Sequence, residues 1–138
     1  MGVRFSTEGL REEIMLNLVV EKIGDVAVIH CAGRIVRSEA AFQLRSAVTR
    51  QTDARVVLLD LSRVGAVEGG GLGMLVFLHL WTRDHGIQLK VVSPVAAVRQ
   101  RLERARHDTD IEIAGMSEVL TVLACEPEKS WNGFESAA

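Results

Sequence analysis

The sequence predicts one α/β domain, a mixed and mostly parallel β-sheet with helices packed on it. Short apolar segments rich in β-branched residues alternate with segments of helical period. The first two strand-like segments are separated only by the turn-forming pair Gly24-Asp25, which indicates an opening hairpin. We therefore predict the order β-β-α-β-α-β-α-β-α, with parallel strands from the βα units and one antiparallel strand from the hairpin.

The predicted strands are short apolar or alternating stretches. They cover residues 14–22, 26–31, 55–61, 87–92 and 111–113. Gly33 is expected to close the second strand. The stretch at 55–61 is the most apolar, and we place it at the centre of the sheet.

The first two predicted helices have recognisable ends. Ser38 is a plausible N-cap for a helix whose inward stripe carries Ala41, Leu44 and Val48. The second helix follows a glycine-rich turn and is expected to end at Asp84-His85-Gly86, because glycine commonly follows a helix C-terminus.

The last two predicted helices are amphipathic. Ser93-Pro94 has the pattern of an N-cap followed by proline at the first helical position. The inward side of that helix is predicted to carry Val95, Val98, Leu102 and Ala105. A last helix at 117–124 has its apolar positions at Val119, Leu120 and Leu123.

Composition and charge indicate a single cytoplasmic domain. The chain has 138 residues, 48% hydrophobic and 25% charged, with a net charge of -2. The longest apolar run, residues 72–80, is too short to span a bilayer and contains His79. We expect no signal peptide and no direct membrane insertion. Cys31 and Cys125 are expected to be reduced, mostly buried thiols.

The predicted domain organisation has three parts. Residues 1–13 are polar and are expected to form a loose arm, residues 14–125 form the domain, and residues 126–138 form a polar tail. The large apolar residues of that tail are Trp131 and Phe134.

A glycine-rich turn joins the central strand to the second helix. Its candidate binding residues are Glu68, Gly69, Gly70, Gly71, Leu72, Gly73 and Met74. Three glycines directly before a helix leave the first helical amides uncovered by side chains, at the positive end of the helix dipole. We call residues 68–73 the glycine turn. It is either a tight structural elbow or a surface on which a partner docks.

The helix after the glycine turn is apolar on two sides. One stripe carries Met74, Phe77, Leu78 and Trp81, and the other carries Leu72, Leu75, Val76 and His79. Such a helix is expected to be buried on both sides. The sheet covers one side, and a neighbouring helix, a second copy of the chain in a homodimer, or a partner protein covers the other.

Three short motifs in this order resemble the STAS domain, the fold of bacterial anti-sigma-factor antagonists. The family's turn, commonly Asp-Ser-Ser/Thr-Gly-Leu-Gly, corresponds here to Glu68-Gly69-Gly70-Gly71-Leu72-Gly73. Gly33-Arg34-Ile35-Val36 stands where the family usually has Gly-Glu-Leu-Asp. Ser93-Pro94 and its amphipathic helix are the third match, and the resemblance covers residues 16–125.

The resemblance implies a non-catalytic module that regulates transcription by partner switching. In the family, the first hydroxyl residue of the turn accepts phosphate from a serine-kinase-type anti-sigma factor. That position here is Gly69 and the neighbouring hydroxyl position is Gly70, and no Ser, Thr or Tyr occurs from Arg63 to Trp81. We therefore expect the chain to bind such a kinase-like partner through residues 68–74 without being phosphorylated there.

Two alternatives remain open. STAS subunits of lipid-transport ABC importers bind the transporter ATPase and need no phosphorylation, which suits a glycine at position 69. A small-ligand or nucleotide sensor is the other. Gly65 and Gly70 have P-loop spacing, but Gly71-Leu72 stands where Lys-Ser/Thr is required, so the usual phosphate and Mg²⁺ contacts are missing.

The sequence gives little support for an enzyme, a cofactor or a metal site. His30, His79, His85 and His107 are scattered without metal-ligand spacing. Adjacent residues on a strand point to opposite faces, so His30 and Cys31 do not form a base–nucleophile pair.

The fourth predicted strand is followed by a helix with many arginines. Arg99, Arg101, Arg104 and Arg106 are expected to form mainly a solvated face, and the alternative is a patch for an acidic partner. Nucleic acid is not expected as a partner, because the domain is not basic overall and has few aromatic residues.

Overall fold

The computed structural model describes residues 16–36, 38–105 and 111–131. It confirms the predicted α/β class with a sheet of five strands in the order β1-β2-β3-β4-β5. The strands are β1 (Leu16–Ile23), β2 (Val26–Ile35), β3 (Val56–Val67), β4 (Gln88–Val92) and β5 (Glu112–Ala114). β1 pairs with β2 antiparallel, as the hairpin predicts, and the other neighbours are parallel.

Four helices lie within the described ranges. They are α1 (Ser38–Thr49), α2 (Gly70–Asp84), α3 (Ala96–Ala105) and α4 (Met116–Trp131). The predicted stripe of α1 is confirmed, because Ala41, Leu44 and Val48 are all buried. α2 ends at Asp84 as predicted, and the Ile87 N–H donates to the Thr82 carbonyl at 2.8 Å.

The apolar core has two parts, one on each face of the sheet. The larger part joins strand residues such as Ile29 and Leu59 to side chains of α1, α2 and α3, including Leu44, Leu78 and Leu102. The smaller part lies under α4 and contains Val26, Val56, Leu58, Ala114 and Val119. Alternate side chains of β3 belong to the two parts of the core, because successive side chains of a strand point to opposite faces.

The central strand is longer than predicted. β3 continues beyond residue 61 to Val67, and β2 continues beyond Gly33 to Ile35, because the two strands stay paired as far as Ile35 and Val67. Register shifts between His30 and Ala32 and between Gly33 and Arg34 accompany the extension. Cross-strand pairing thus overrides the local turn tendency of Gly65 and confines the turn to Glu68 and Gly69.

The predicted start of the third helix is wrong. Ser93 has a positive φ of 54° instead of capping a helix, and α3 begins at Ala96. The Val95 carbonyl accepts a hydrogen bond from the Arg99 N–H at 2.8 Å. Because the helix starts later, Val95 is 37% exposed rather than inward, whereas Val98 and Leu102 are buried as predicted.

The last helix is also longer than predicted, since α4 extends to Trp131. Val119 is buried, but Leu120 is 59% exposed and does not belong to the inward face. Cys31 is a free, buried thiol as predicted, whereas the predicted arm at residues 1–13 and the Cys125 side chain lie outside what the structure describes. No helix in the described ranges is long and apolar enough to cross a membrane.

Candidate protein-binding site

The glycine turn has a backbone geometry that explains its first glycine. The Gly71 N–H donates to the Glu68 carbonyl at 2.9 Å, and Gly69 has φ 54° and ψ -122°. These dihedral angles match the first central position of a type II′ turn, where glycine is strongly preferred. Gly69, the position predicted to match the phosphate acceptor, therefore holds a conformation that side-chain-bearing residues rarely adopt.

Gly71 fixes the helix against the end of β2. The Ile35 carbonyl accepts a hydrogen bond from the Glu68 N–H at 3.2 Å. A β-carbon on Gly71 would lie 1.6 Å from the Ile35 carbonyl oxygen, so only glycine fits in this position. Gly71 is buried and contributes to the architecture of the site rather than to its surface.

The other predicted binding residues divide between the surface and the core. Glu68, Gly69, Gly70 and Gly73 are exposed, and a β-carbon on any of these three glycines would meet nothing within 4 Å. Leu72 and Met74 are half-buried and pack against the larger part of the core. Four of the seven candidate residues are therefore exposed, whereas Gly71, Leu72 and Met74 are buried or half-buried beneath the turn.

An apolar stripe continues from the glycine turn along α2. It consists of Gly73, Phe77 and Leu80, with Phe77 41% and Leu80 47% exposed. These positions follow helical spacing and share one face. The two predicted stripes of α2 are confirmed as buried or half-buried except at Phe77, since Leu72, Met74, Val76 and Trp81 pack against the larger part of the core. Leu75, Leu78 and Thr82 form the buried side.

Helix α1 adds residues that the sequence reasoning missed. Phe42 is 56% exposed, and the guanidinium of Arg45 lies over the Phe77 ring, 5.4 Å from its centroid. Three large apolar side chains on two adjoining helices thus remain exposed to solvent. In the helical pattern of α1, Phe42 lies outside the inward stripe of Ala41, Leu44 and Val48. A large apolar residue at such a position is the sequence feature from which its exposure could have been predicted.

The glycine turn also borders a cleft of about 250 Å³, which we call the basic cleft. It is lined by Gly65, Ala66, Val67, Glu68, Ala97, Gln100, Arg101 and Arg104. A guanidinium nitrogen of Arg101 lies 3.7 Å from a carboxylate oxygen of Glu68, which links α3 to the glycine turn.

A polar cluster lies on the sheet beyond α4. His30 Nδ1 is 2.9 Å from Asp60 Oδ2, and His30 Nε2 is 3.0 Å from Glu21 Oε1. Ser62 donates to Asp60 through its backbone N–H and its hydroxyl. No group of three or more metal-ligating side chains that could hold an ion occurs among the described residues.

These contacts shift the pKa of both central groups. The hydrogen bonds to Asp60 and Glu21 outweigh burial and raise the pKa of His30. Burial alone would raise the pKa of Asp60, but hydrogen bonds from Ser62 and His30 outweigh it and lower the pKa. Cys31 points to the opposite face, as predicted, and burial raises its pKa to about 12. At neutral pH Cys31 is therefore a thiol rather than a nucleophilic thiolate.

The family of this chain follows from its match to a family model. The model of the STAS domain matches residues 17–119, most of the chain and nearly all of the described sheet. The chain belongs to the STAS domain family. No curated protein sequence matches it significantly.

Solved structures share this STAS fold. The unphosphorylated anti-sigma factor antagonist SpoIIAA is 13% identical, with a TM-score of 0.64 over 78% of this chain and 96% of that chain. An anti-sigma factor antagonist from Mycobacterium paratuberculosis is 20% identical, with a TM-score of 0.65 over 79% and 94%. SLC26A9 is 13% identical, with a TM-score of 0.67 over 96% of this chain and 28% of that chain. Identities this low show a common fold and no more.

Proposed function

We propose that this STAS domain is a non-catalytic cytoplasmic protein-interaction module that acts as an anti-sigma-factor antagonist. Its partner is a serine-kinase-type anti-sigma factor, which it sequesters so that a sigma factor is released. The binding surface is the exposed part of the glycine turn together with the apolar stripe of α2. Two of the structures that share its fold are anti-sigma factor antagonists, which supports this choice.

One observation carries the proposal: the exposed glycine turn is continuous with exposed apolar side chains. Gly69 and Gly70 are exposed with nothing within 4 Å of the place of a β-carbon, and Phe77, Leu80 and Phe42 extend the surface along two helices. A cluster of exposed apolar side chains beside an open loop is typical of a protein interface.

We further propose that the complex is not controlled by phosphorylation at the turn. Gly69 and Gly70 carry no hydroxyl, and a partner kinase therefore has no acceptor at these positions. Competition between partners, or the amount of the protein, would then set the fraction of anti-sigma factor that is bound.

The experiment is affinity capture of the full-length protein from its native cells, followed by calorimetry with the purified partner. Gly69 itself is a poor place for a disruptive charge, because its positive φ would strain any replacement. Gly70→Asp is a better test variant, because Gly70 has space for a side chain. An acid at the first position of a helix also interacts favourably with the helix dipole, so the fold should not be destabilised. The charge should nevertheless weaken the complex, because it enters the contact.

Gly115→Asp is the matched control. Gly115 also lies at the start of a helix and also has open space, but its helix is α4, which packs on the opposite face of the sheet from α2. If Gly70→Asp and Gly115→Asp bind the anti-sigma factor equally well, the glycine turn is not the interface. Capture of a transporter ATPase instead would assign the protein to the ABC-importer alternative, and self-association of the purified chain would identify a homodimer. Recovery of no protein partner would direct attention to small ligands and nucleotides.

A further inference from the structure

Helix α3 presents two arginines to the end of the central strand. Arg101 and Arg104 are three residues apart, so they lie on one face of the helix, and both line the basic cleft. The opposite wall is the last part of β3, residues 65–67, followed by Glu68 of the glycine turn. The cleft therefore opens directly beside the proposed partner-binding surface.

The charges in the basic cleft are only partly balanced. Arg101 and Glu68 are about half exposed and meet at 3.7 Å, longer than a direct hydrogen bond. Arg104 has no ion pair within the described residues. Among the residues that the structure describes, Glu68 is the one acidic residue that lines the cleft, against two guanidinium groups.

The remaining arginine in the described part of α3 behaves differently. Arg99 does not line the cleft and lies 3.8 Å from Glu103, one turn along the same helix. This pair is about as long and as exposed as the pair of Arg101 with Glu68, so Arg99 differs from Arg101 only in its position outside the cleft. The two halves of the arginine-rich segment are therefore not equivalent, which the sequence pattern alone did not show.

We propose that the basic cleft binds carboxylate side chains from an acidic segment of the protein partner. The inference rests on the proposed function for the identity of that partner and adds the chemistry of the second contact. An arginine fork matches a carboxylate in a planar, two-point geometry, and two forks on one helix face accommodate neighbouring acids. A protein seated on the glycine turn would cover the cleft at the same time, because Glu68 belongs to both.

The ion pair between Glu68 and Arg101 lies where this contact would form. Arg101 lies 3.7 Å from Glu68, longer than a direct hydrogen bond, so its guanidinium donors are available to another carboxylate. A partner carboxylate between Arg101 and Arg104 would gain attraction from both. Because all three side chains stay hydrated in the free protein, binding needs little rearrangement of the protein interior, and it should weaken as salt is added.

The first test uses a short capped glutamate-rich peptide and the full-length protein labelled with ¹⁵N. Amide signals of Gly65, Ala66, Gln100 and Arg104 are expected to shift at low salt and to return when salt is added. The glutamine version of the peptide should cause no shift. Arg104→Glu should abolish the shifts, whereas Arg99→Glu should retain them. No shift with the acidic peptide, or equal loss in both variants, would overturn the inference.

The second test measures affinity for the purified serine-kinase-type anti-sigma factor. Arg104→Glu is expected to weaken binding by about tenfold, because it replaces an attraction with a repulsion, and Arg101→Gln by a smaller factor. Arg99→Glu should change the affinity by less than about twofold, as expected for an exposed charge outside the contact. Thermal melts identify any variant whose fold is impaired.

The outcomes separate the two proposals. If the Arg104→Glu and Arg99→Glu variants bind the anti-sigma factor with equal affinity, the proposed function is supported and the role of the cleft is contradicted. Peptide binding at the cleft without any binding of the anti-sigma factor would retain the cleft and remove the proposed function.

Discussion

The carbonyl oxygen of Ile35 occupies the space into which a β-carbon on Gly71 would project, at a distance of 1.6 Å. Backbone atoms on both sides form this contact, and a change of side-chain rotamer cannot relieve it. The start of α2 therefore packs on the end of β2 with no room for a side chain at position 71.

Replacing Gly71 should consequently be costly. We expect Gly71→Ala to destabilise the protein by roughly 3 kcal/mol or more, because the added methyl group forces the helix away from β2. The measurement is urea unfolding at equilibrium. Gly73→Ala is the control, since Gly73 is exposed with open space in the same helix and should gain up to about 1 kcal/mol from better helix propensity. Similar stabilities for the two variants would contradict the contact.

Ser93 stores backbone strain between β4 and α3. Its φ of 54° lies in the region that favours glycine. Ser93→Gly should therefore stabilise the protein by about 0.5–1 kcal/mol, measured by the same unfolding experiment. Ser46→Gly, an exposed position within α1, should instead cost about 0.5–1 kcal/mol. A loss of stability in Ser93→Gly would show that the loop is not strained.

His30 should make stability depend on pH. Its pKa is raised in the folded state by Asp60 and then Glu21, so its stabilising contribution is complete below its unfolded pKa. That contribution is lost as pH rises through the folded value. Because the side chain is 43% exposed, we expect no more than about 0.5 kcal/mol. Unfolding free energies of the wild type and His30→Gln, compared from slightly acidic to slightly alkaline pH, measure this difference.

The partners of His30 provide the check on this prediction. Asp60→Asn should remove more of the pH dependence than Glu21→Gln, because the Asp60 hydrogen bond is the larger cause of the raised pKa. The lowered pKa of Asp60 acts in the opposite direction, and its contribution is lost as pH falls through its folded value. The same pH dependence in all variants would show that this cluster does not control it.

Lys90 links the edge of the sheet to the last helix. Its buried ammonium lies 2.6 Å from Glu112 of β5 and 2.8 Å from Glu118 of α4. Burial alone would lower the pKa of Lys90, but hydrogen bonds to the two carboxylates outweigh it and raise the pKa. We expect Glu118→Gln to destabilise the protein by about 1 kcal/mol and to speed hydrogen exchange in α4.

Glu103→Gln is the comparison for that change. Glu103 meets Arg99 at 3.8 Å on an exposed helix face, so its loss should cost about 0.3 kcal/mol or less. Equal costs for Glu118→Gln and Glu103→Gln would mean that Lys90 does not hold α4 to the sheet.

The features that sequence predicted correctly depend on local pattern. The inward stripe of α1 and the end of α2 follow from helical period and from Gly86, which are readable within a few residues. The length of β3 was underestimated because it depends on pairing with β2, a partner distant in sequence. The start of α3 was wrong because Ser93-Pro94 satisfies the local rule for a cap, while the path of the chain after β4 places Ser93 in a strained turn.

The sequence indicated where the turn lies but not which of its residues are exposed. The glycine pattern located the exposed turn, yet Gly71, Leu72 and Met74 proved to be its support. Exposure of Phe42 and Phe77 depends on how α1 and α2 adjoin, and the grouping of Arg101 with Arg104 depends on where α3 meets β3. These features depend on how helices and strands pack on each other, and the helical period of a single segment does not predict that packing.

The type II′ geometry of the glycine turn has an evolutionary consequence. A single codon change would place serine at position 69, the position proposed to match the phosphate acceptor. The new side chain would inherit a φ of 54° and ψ of -122°, a conformation that costs of order 1–3 kcal/mol for residues other than glycine. A serine acceptor at this position would thus carry this cost unless the turn also changed its geometry. Because glycine alone adopts this backbone conformation without that cost, we expect descendants of this chain to keep glycine at position 69.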